Sequence, residues 1–243
     1  MKAVILAAGI ASRLRPLTDN TPKCLLKVGD KKILELTIEN LLANNISDII
    51  IVTGYLENLV KSFVKERFPQ LKVEFIYNEL YASTNNIYSL WLTKDRFLNN
   101  DMLLMDSDII FDKQIITELI NAGYENCLAL KRHHVGEEEI KVKADEKGKI
   151  LEISKEVIPS EAAGESIGIE LFEKKSLTEL FKIIDHKIKV ENKVNIFYEA
   201  AFQDFINNKG SIYTVDVTRY YCTEIDTALD LESAVEIMTN KVS

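Results

Sequence analysis

The sequence contains few of the residues that build cross-linked, fibrous or membrane-embedded proteins. Its 243 residues include three cysteines, four prolines, nine glycines and one tryptophan. The cysteines are far apart, odd in number and form no C-x-x-C pair, which argues against a disulfide framework or a zinc site and fits a reducing compartment. No run approaches the roughly 18 apolar residues that a membrane span requires, so we expect no membrane insertion.

Positive charge is also scarce, since 30 Lys and Arg face 38 Asp and Glu for a net charge of −8. This balance argues against a nucleic-acid partner, because duplex binding depends on phosphate neutralisation. A local basic cluster can still bind a small anionic substrate. The first residues imitate a signal peptide, but Arg13 and Arg15 follow at once and no small-residue cleavage site is evident. We therefore expect a cytoplasmic protein.

Apolar runs alternate with helical patterns through the first half of the chain. Strands are predicted at 2–7, 48–53, 72–77 and 102–106, and the segments between them carry apolar residues at helical spacing. Strands alternating with helices of this length form βαβ units. The pattern predicts an α/β fold with a doubly wound, mostly parallel, Rossmann-like sheet.

The pattern changes after about residue 126. Closely spaced strand signals at 127–131, 139–145 and 149–154 predict antiparallel additions to the same sheet. Beyond them the sequence predicts helices at 173–185 and 197–208, a strand at 211–217 and a closing helix at 226–240. No linker-like segment separates the two parts, so we interpret 1–243 as one domain.

Small and basic residues follow the first predicted strand. Residues 6–16 read LAAGIASRLRP, and TPK follows at 21–23. Small side chains let backbone N–H groups approach a phosphate closely. Arg13, Arg15 and Lys23 come after the carboxyl end of a strand, where parallel folds bind ligands. The alternative is a tight turn with solvated basic residues, since neither a Walker A nor a G-x-G-x-x-G pattern is present.

The strand predicted at 102–106 ends in two acids, Asp106 and Asp108. Mg²⁺ prefers one or two protein carboxylates and completes its octahedron with water and phosphate oxygens. A magnesium site beside the basic loop is therefore one interpretation of these acids. The other is a strand-end aspartate that caps a turn.

The pattern L-A-A-G-x-x-S-R-L-x-P, with P-K six positions after its proline, resembles the signature of a known family. These are the sugar-phosphate nucleotidyltransferases and their cytidylyltransferase relatives, which join a nucleoside triphosphate to a phosphorylated metabolite. The resemblance continues in order along the chain, through Gly54-Tyr55, GESIG at 164–168 and EIDT at 224–227. One departure is Ala11, where the family has a second glycine. We expect the alanine to fit by keeping a negative φ.

The resemblance implies roles for particular residues. Nucleotide contacts are expected from Leu6, Ala8, Gly9, Ala11, Ser12, Arg13 and Lys23, of which Arg13 and Lys23 would be catalytic. Fixed cations stabilise the charge that spreads over a transferring phosphoryl group. The resemblance assigns Mg²⁺ to Asp108 and Asp226, with Glu224 as a competitor. The simpler alternative for Asp226 is that it caps the final helix.

The stretch NNIYSL at 85–90 is similar to one in relatives that use CTP with phosphocholine or aminoethylphosphonate. The acceptor contacts expected from this resemblance are Asn85, Tyr88, Glu165, Tyr198 and Glu199. An ammonium group can pair with a carboxylate or lie on an aromatic ring. The alternatives are helix-capping polar residues at 83–86 and, for Glu199, the polar face of a helix. His133, His134 and the acids at 137–139 are interpreted as solvated.

The sequence therefore predicts Mg²⁺-dependent transfer of CMP from CTP to a small amine-bearing phosphate or phosphonate, with release of pyrophosphate. Residues 1–125 would form the nucleotide-binding half of the domain, and residues 126–243 the acceptor-binding, metal-completing half. A UTP- or dTTP-dependent hexose-1-phosphate nucleotidyltransferase is the alternative enzyme. A non-catalytic nucleotide-binding regulatory module is the alternative of another class. The sequence leaves the nucleobase, the acceptor and assembly into a homo-oligomer open.

Overall fold

The computed structural model describes residues 1–97 and 99–242. The helices are α1 (Ile33–Ala43), α2 (Glu57–Arg67), α3 (Asn86–Trp91), α4 (Gln114–Asn121), α5 (Lys174–Lys189), α6 (Glu199–Asn207) and α7 (Ala228–Val242). The strands are β1 (Lys2–Ala7), β2 (Lys27–Val28), β3 (Lys31–Lys32), β4 (Ile49–Thr53), β5 (Val73–Tyr77), β6 (Met102–Asp106), β7 (Ile109–Phe111), β8 (Asn126–Lys131), β9 (Lys141–Ala144), β10 (Ile150–Ser154), β11 (Gly164–Phe172), β12 (Tyr213–Asp216) and β13 (Cys222–Glu224).

Nine of these strands form one mixed sheet, in the order β10-β9-β11-β6-β1-β4-β5, with β8 pairing to β11 and β12. The four adjacent strands β6, β1, β4 and β5 are parallel to one another. Strand β11 runs antiparallel to β6, β8 and β9. The prediction of a mostly parallel α/β sheet with antiparallel additions is confirmed. One addition differs, because β12 lies parallel to β8.

The central strand β1 separates two apolar layers. Ile5 packs in one layer and Val4 in the other, and both are fully buried. Side chains alternate across a strand, so a strand covered on both faces has a continuous apolar sequence. Burying a side chain of this size stabilises the fold by about 1.5–3 kcal/mol. The uninterrupted apolar run at residues 2–7 is therefore explained by helices on both faces of the sheet.

Strand β11 lies between β6 and β8, yet the strand patterns do not predict it. Its sequence contains Gly164 and Gly168, and its pairing with β8 shifts register between Ser166 and Glu170. Gly168 has φ +68°, and a Cβ there would lie 2.8 Å from Asp106 Oδ2. Glycine therefore lets β11 pass close to the end of β6. The short elements β2, β3, β7, β13 and α4 are likewise absent from the sequence prediction.

The predicted helices form with adjusted ends. Helix α3 stops at Trp91, and a separate 3₁₀ turn covers Lys94–Arg96. Helix α5 continues to Lys189, four residues beyond the predicted end. Among the described residues, no helix combines the length and apolar character needed to cross a bilayer.

The topology brings distant acids together. Strand β6 ends at Asp106, and β7 then pairs antiparallel with β13, with Ile109 opposite Glu224. Ile225 N donates a hydrogen bond to the Asp108 carbonyl oxygen at 3.0 Å. This small second sheet fixes the 224–226 segment beside the carboxyl end of β6, at the same edge where β1 ends.

Candidate active site

The loop after β1 is clamped by the turn after β4. Tyr55 N donates to the Ala8 carbonyl oxygen at 3.1 Å, and the Tyr55 hydroxyl donates to the Asp19 carbonyl oxygen at 2.7 Å. A Cβ on Gly54 would lie 2.6 Å from the Ala8 oxygen, so this approach requires glycine. The Gly54-Tyr55 pair singled out in the sequence thus holds the loop in place.

Ala11 adopts a left-handed backbone with φ +52°, so the expectation of a negative φ is wrong. Its carbonyl oxygen accepts hydrogen bonds from Thr18 Oγ1 at 2.9 Å and from Leu14 N at 3.1 Å. These two bonds hold a conformation that costs a non-glycine residue about 1–2 kcal/mol. The loop therefore keeps the backbone that a glycine would adopt freely.

An open cavity of ≈ 290 Å³ lies between this loop, the end of β6 and the start of α7. It brings together most of the predicted nucleotide and metal residues. Its walls include Leu6, Ala8, Gly9, Ala11, Arg13, Lys23, Asn85, Asp108 and Asp226. We call it the nucleotide chamber. Ser12 is exposed in the turn Ser12–Leu14 and is not part of this wall.

Cations and acids are paired in the nucleotide chamber. Lys23 Nζ lies 2.6 Å from Asp108 Oδ2 and 2.9 Å from Asp226 Oδ1, and Arg13 Nη2 lies 2.7 Å from Asp226 Oδ2. Burial lowers the pKa of Lys23, but its charge and hydrogen-bond contacts with the two aspartates outweigh burial and raise it overall. For Asp226, burial raises the pKa, while Lys23 and Arg13 lower it overall. Lys23 and Asp226 are therefore ionised at neutral pH.

Three carboxylates converge in the same place. Asp108, Glu224 and Asp226 each offer an oxygen within 4.8 Å of the others. Asp108 Oδ1 is buried with no hydrogen-bond partner. Burial and the two neighbouring aspartates raise the pKa of Glu224 to about 8. An unsatisfied buried oxygen within a cluster of like charges fits a hard divalent cation, whose ligands are carboxylate oxygens.

The capping alternative for Asp226 does not hold. Asp230 N donates to Thr227 Oγ1 at 3.2 Å, and Thr227 N donates to Asp230 Oδ2 at 2.7 Å. Thr227 is thus the residue that caps α7. The side chain of Asp226 instead faces Arg13 and Lys23.

A second, smaller cavity of ≈ 130 Å³ adjoins the nucleotide chamber and shares part of its wall. We call it the acidic chamber. The acidic side chains on its wall are Asp106, Glu138, Glu139, Glu165, Glu199, Glu224 and Asp226. The cationic side chains on that wall are Arg13 and Lys155. Its lining therefore carries a marked excess of carboxyl groups.

Two predicted acceptor residues, Glu199 and Glu165, lie on the wall of the acidic chamber. Glu199 begins α6, is 5% exposed, and has a buried Oε2 with no hydrogen-bond partner. Burial raises its pKa to about 7. Glu165 Oε2 lies 2.7 Å from His133 Nε2, while His133 Nδ1 faces the His134 carbonyl oxygen at 3.0 Å. His133 is exposed, as the solvated interpretation expects, and in addition pairs with Glu165 on the chamber wall.

Tyr198 lies behind the wall of the acidic chamber, where it contacts the wall residue Asp106, and does not line the cavity. Its side chain is fully buried, so the prediction that its ring contacts the acceptor is wrong. Its hydroxyl donates to Asp106 Oδ2 at 3.0 Å and lies 3.4 Å from both carboxyl oxygens of Glu170. Burial, followed by neighbouring carboxylates, raises the pKa of both Asp106 and Glu170 well above ordinary values.

Tyr88 also lies away from both chambers. Its half-buried ring packs against Trp91 with 5.3 Å between centroids and is on the wall of neither chamber, so its acceptor contact stays a prediction. Asn85, Asn86 and Ser89 line the nucleotide chamber instead. Asn85 and Ser89 are four positions apart and so share a face, whereas the ring of the neighbouring Tyr88 packs on Trp91. Asn85 accepts from Asn86 N at 2.7 Å, so it caps α3 as well as lining the chamber.

Comparison with known proteins identifies clear relatives. Residues 2–155 match the model of the nucleotidyl transferase family. The chain is 31% identical to a choline-phosphate cytidylyltransferase of Streptococcus pneumoniae over 99% of this chain and 100% of that protein. It is 29% identical to a CTP:phosphoglutamine cytidylyltransferase of Campylobacter jejuni over 97% of this chain and 100% of that protein. The solved structure of CTP:phosphocholine cytidylyltransferase LicC from Streptococcus pneumoniae superposes with a TM-score of 0.82, at 29% identity and 98% coverage of both chains.

Proposed function

Because the chain belongs to the nucleotidyl transferase family, we propose that it transfers CMP from CTP to a small phosphate or phosphonate that carries an amine. The names of its relatives support the nucleotide and the acceptor class, since choline and glutamine both carry a positively charged nitrogen. Pyrophosphate would be the second product. The proposal also assigns Mg²⁺ to the reaction.

The acidic chamber is the observation that carries this proposal. It opens beside the nucleotide chamber, and the two share Arg13, Asn86, Asp226 and other wall residues. An acceptor phosphate placed between the chambers would contact Arg13, while its cationic end would lie among carboxylates. Glu199 is suited to that end because its buried Oε2 has no partner. A buried charge-assisted pair is stronger than a neutral hydrogen bond.

The reaction requires positioning more than proton transfer. An oxygen of the acceptor phosphate or phosphonate attacks the α-phosphorus of CTP, and the bond to the β-phosphate oxygen breaks in line. No general base is required, since a phosphate group is already ionised at neutral pH with a second pKa of about 6. Lys23 and Arg13 neutralise charge on the reacting phosphates. The two chambers hold the reactants in the geometry of attack.

The three converging carboxylates fit a divalent cation, and Asp108, Asp226 and Glu224 would hold it. When bound, Mg²⁺ supplies charge neutralisation at phosphate oxygens. In this proposal Glu224 is a third metal ligand beside Asp108 and Asp226, and not a substitute for either aspartate.

The two alternatives have less support. A hexose carries hydroxyls but no cation, so it would leave the Glu199 carboxylate buried and unpaired, at a cost of about 1–3 kcal/mol or more for a charged group. A non-catalytic nucleotide-binding module has no need for Lys23 Nζ to lie within 2.9 Å of carboxylate oxygens of both Asp108 and Asp226. The geometry therefore favours an amine acceptor and turnover.

The test measures pyrophosphate release from four triphosphates, each combined with phosphocholine, phosphoethanolamine, 2-aminoethylphosphonate or glucose 1-phosphate. We expect CTP with an amine-bearing acceptor to give kcat/KM at least about 10-fold above UTP or dTTP with glucose 1-phosphate, a gap of about 1.4 kcal/mol. Chelation of Mg²⁺ should abolish release. A preference for the hexose phosphate would contradict the acceptor assignment, and no release from any pair would contradict turnover.

A further inference from the structure

Lys141 is a lysine with almost no solvent contact. The residue is 1% exposed at the start of β9. Its Nζ donates to three backbone carbonyl oxygens of one short loop, those of Gly136 at 3.1 Å, Glu137 at 3.3 Å and Glu139 at 3.5 Å. Burying an ammonium group costs free energy unless its three N–H donors find acceptors. The backbone of residues 136–139 thus surrounds the Lys141 ammonium group.

The position of Lys141 makes this arrangement unexpected. In the pairing of β9 with β11, Lys141 lies directly opposite Glu165. Oppositely charged residues at such positions are close enough to attract each other. Glu165 instead pairs with His133 at 2.7 Å, and the hydrogen bonds of Lys141 go to the loop. The ammonium therefore contributes no ion pair to this carboxylate of the acidic chamber.

The loop around Lys141 places two further acids on the chamber wall. Glu138 and Glu139 both line the acidic chamber. Glu139 Oε2 accepts from Gly136 N at 2.9 Å, and Glu138 Oε2 lies 3.2 Å from Lys155 Nζ. The side chain of Glu138 is 84% exposed, so little packing holds it there. The three carbonyl contacts of Lys141 supply an anchor for the backbone.

We propose that Lys141 is a positioning residue for acceptor recognition. Its ammonium fixes loop 136–139 and so holds Glu138 and Glu139 at the wall of the acidic chamber. By taking three carbonyls as partners, the same ammonium forms no ion pair with Glu165, whose partner is His133. The inference rests on the proposed function, in that the group recognised is the cationic end of the acceptor.

The test replaces Lys141 with methionine, which keeps the unbranched stem and removes the ammonium. We expect amide hydrogen exchange at residues 136–140 to accelerate at least 10-fold in Lys141→Met. The KM for phosphocholine should rise at least 5-fold, while kcat and the KM for CTP stay within 2-fold. Lys143→Met is the matched control, because Lys143 lies on the same strand and pairs at the surface with Glu161. It should leave all four quantities unchanged.

The outcomes separate the two proposals. Unchanged exchange in Lys141→Met overturns the anchor, and faster exchange with an unchanged acceptor KM overturns its role in recognition. If the wild-type protein transfers CMP to no amine acceptor, the proposed function fails while exchange still reports on the anchor. If Lys141→Met does not fold, the double variant Glu138→Gln/Glu139→Gln replaces it. That variant should raise the phosphocholine KM at least 5-fold, and an unchanged KM overturns the proposal.

Discussion

The nucleotide chamber and the acidic chamber share a wall but balance charge in opposite ways. In the nucleotide chamber, Lys23 lies within 2.9 Å of both Asp108 and Asp226. Arg13 is a second cation beside Asp226. In the acidic chamber, Glu199 keeps an unpaired buried oxygen. Ion-paired acids and cations, with the unpaired Asp108 oxygen facing the proposed metal site, suit a site for phosphates. The Glu199 oxygen has no hydrogen-bond partner among the described residues and suits a positively charged ligand. Under the proposed function, this contrast assigns one chamber to each substrate.

The largest expected effect is in the nucleotide chamber. Asp108→Asn should lower kcat by about 10²–10³-fold, because it removes charge from the proposed metal site at the reacting phosphate. Steady-state kinetics at saturating Mg²⁺ with a melting curve for each protein would measure this effect. Near-normal turnover in a folded variant would contradict the metal assignment. Asp226→Asn should behave alike, since Thr227 and not Asp226 caps α7.

Lys23→Ala should lower kcat by about 10²-fold, because a fixed donor to the transition-state charge is lost. The neighbouring Cys24→Ser is the control, with an expected change below about 2-fold. Burial raises the pKa of Cys24 to about 12, so the thiol is neutral and is no nucleophile at pH 7. Loss of activity in a folded Cys24→Ser protein would indicate a thiol mechanism and contradict this account.

The two chambers also differ in how much of each could be predicted from the sequence. One contiguous segment, residues 6–23, contributes a large part of the nucleotide chamber wall, and its small and basic residues are readable in order. Parallel strands place their carboxyl ends at one edge, so the acids after β6 were expected near that loop. The fold was predictable for a related reason, because the strands β1, β4 and β6 are uninterrupted apolar runs.

The acidic chamber was less predictable because its walls come from separate elements. Glu170 carries no motif, and its role depends on the Tyr198 hydroxyl, 28 residues further along the chain. Strand β11 was missed because two glycines and a register shift weaken its strand pattern. Tyr88 was chosen from the resemblance of NNIYSL to relatives and Tyr198 for its aromatic ring, whereas packing and burial decide which side chains reach a cavity.

A pH dependence tests the acidic chamber. Burial raises the pKa of Glu199 to about 7, so the carboxylate that binds a cation becomes populated as pH rises through that value. The kcat/KM for phosphocholine should therefore climb up to about 10-fold per pH unit below 7 and level off above it. Ionisation of the acceptor phosphate adds its own dependence near a pKa of about 6.

The variant Glu199→Gln separates the two ionisations. In its pH profile of kcat/KM, the change near pH 7 should be absent and the change due to the acceptor phosphate should remain. The KM for phosphocholine at pH 8 should rise about 10-fold, because a charge-assisted contact is lost. The KM for CTP should change little. An unaltered pH profile in this variant would show that Glu199 does not bind the acceptor.

The smallest expected effect concerns the strained loop. Ala11→Gly should stabilise the protein by up to about 1 kcal/mol, because the left-handed strain is relieved while glycine costs more chain entropy on folding. Such a change raises the melting temperature by about 2–4 °C in a chain of this size. A lower melting temperature with unaltered kinetics would show that the alanine is not strained.

One competition measures the central claim, that the acidic chamber selects the acceptor by its positive charge. Phosphocholine and its uncharged carbon isostere, 3,3-dimethylbutyl phosphate, have the same shape and the same phosphate. With saturating CTP, we predict a kcat/KM at least about 10-fold higher for phosphocholine, equivalent to about 1.4 kcal/mol. The Glu199→Gln variant should narrow that ratio. Equal kcat/KM values for the two phosphates in the wild-type protein would contradict the account.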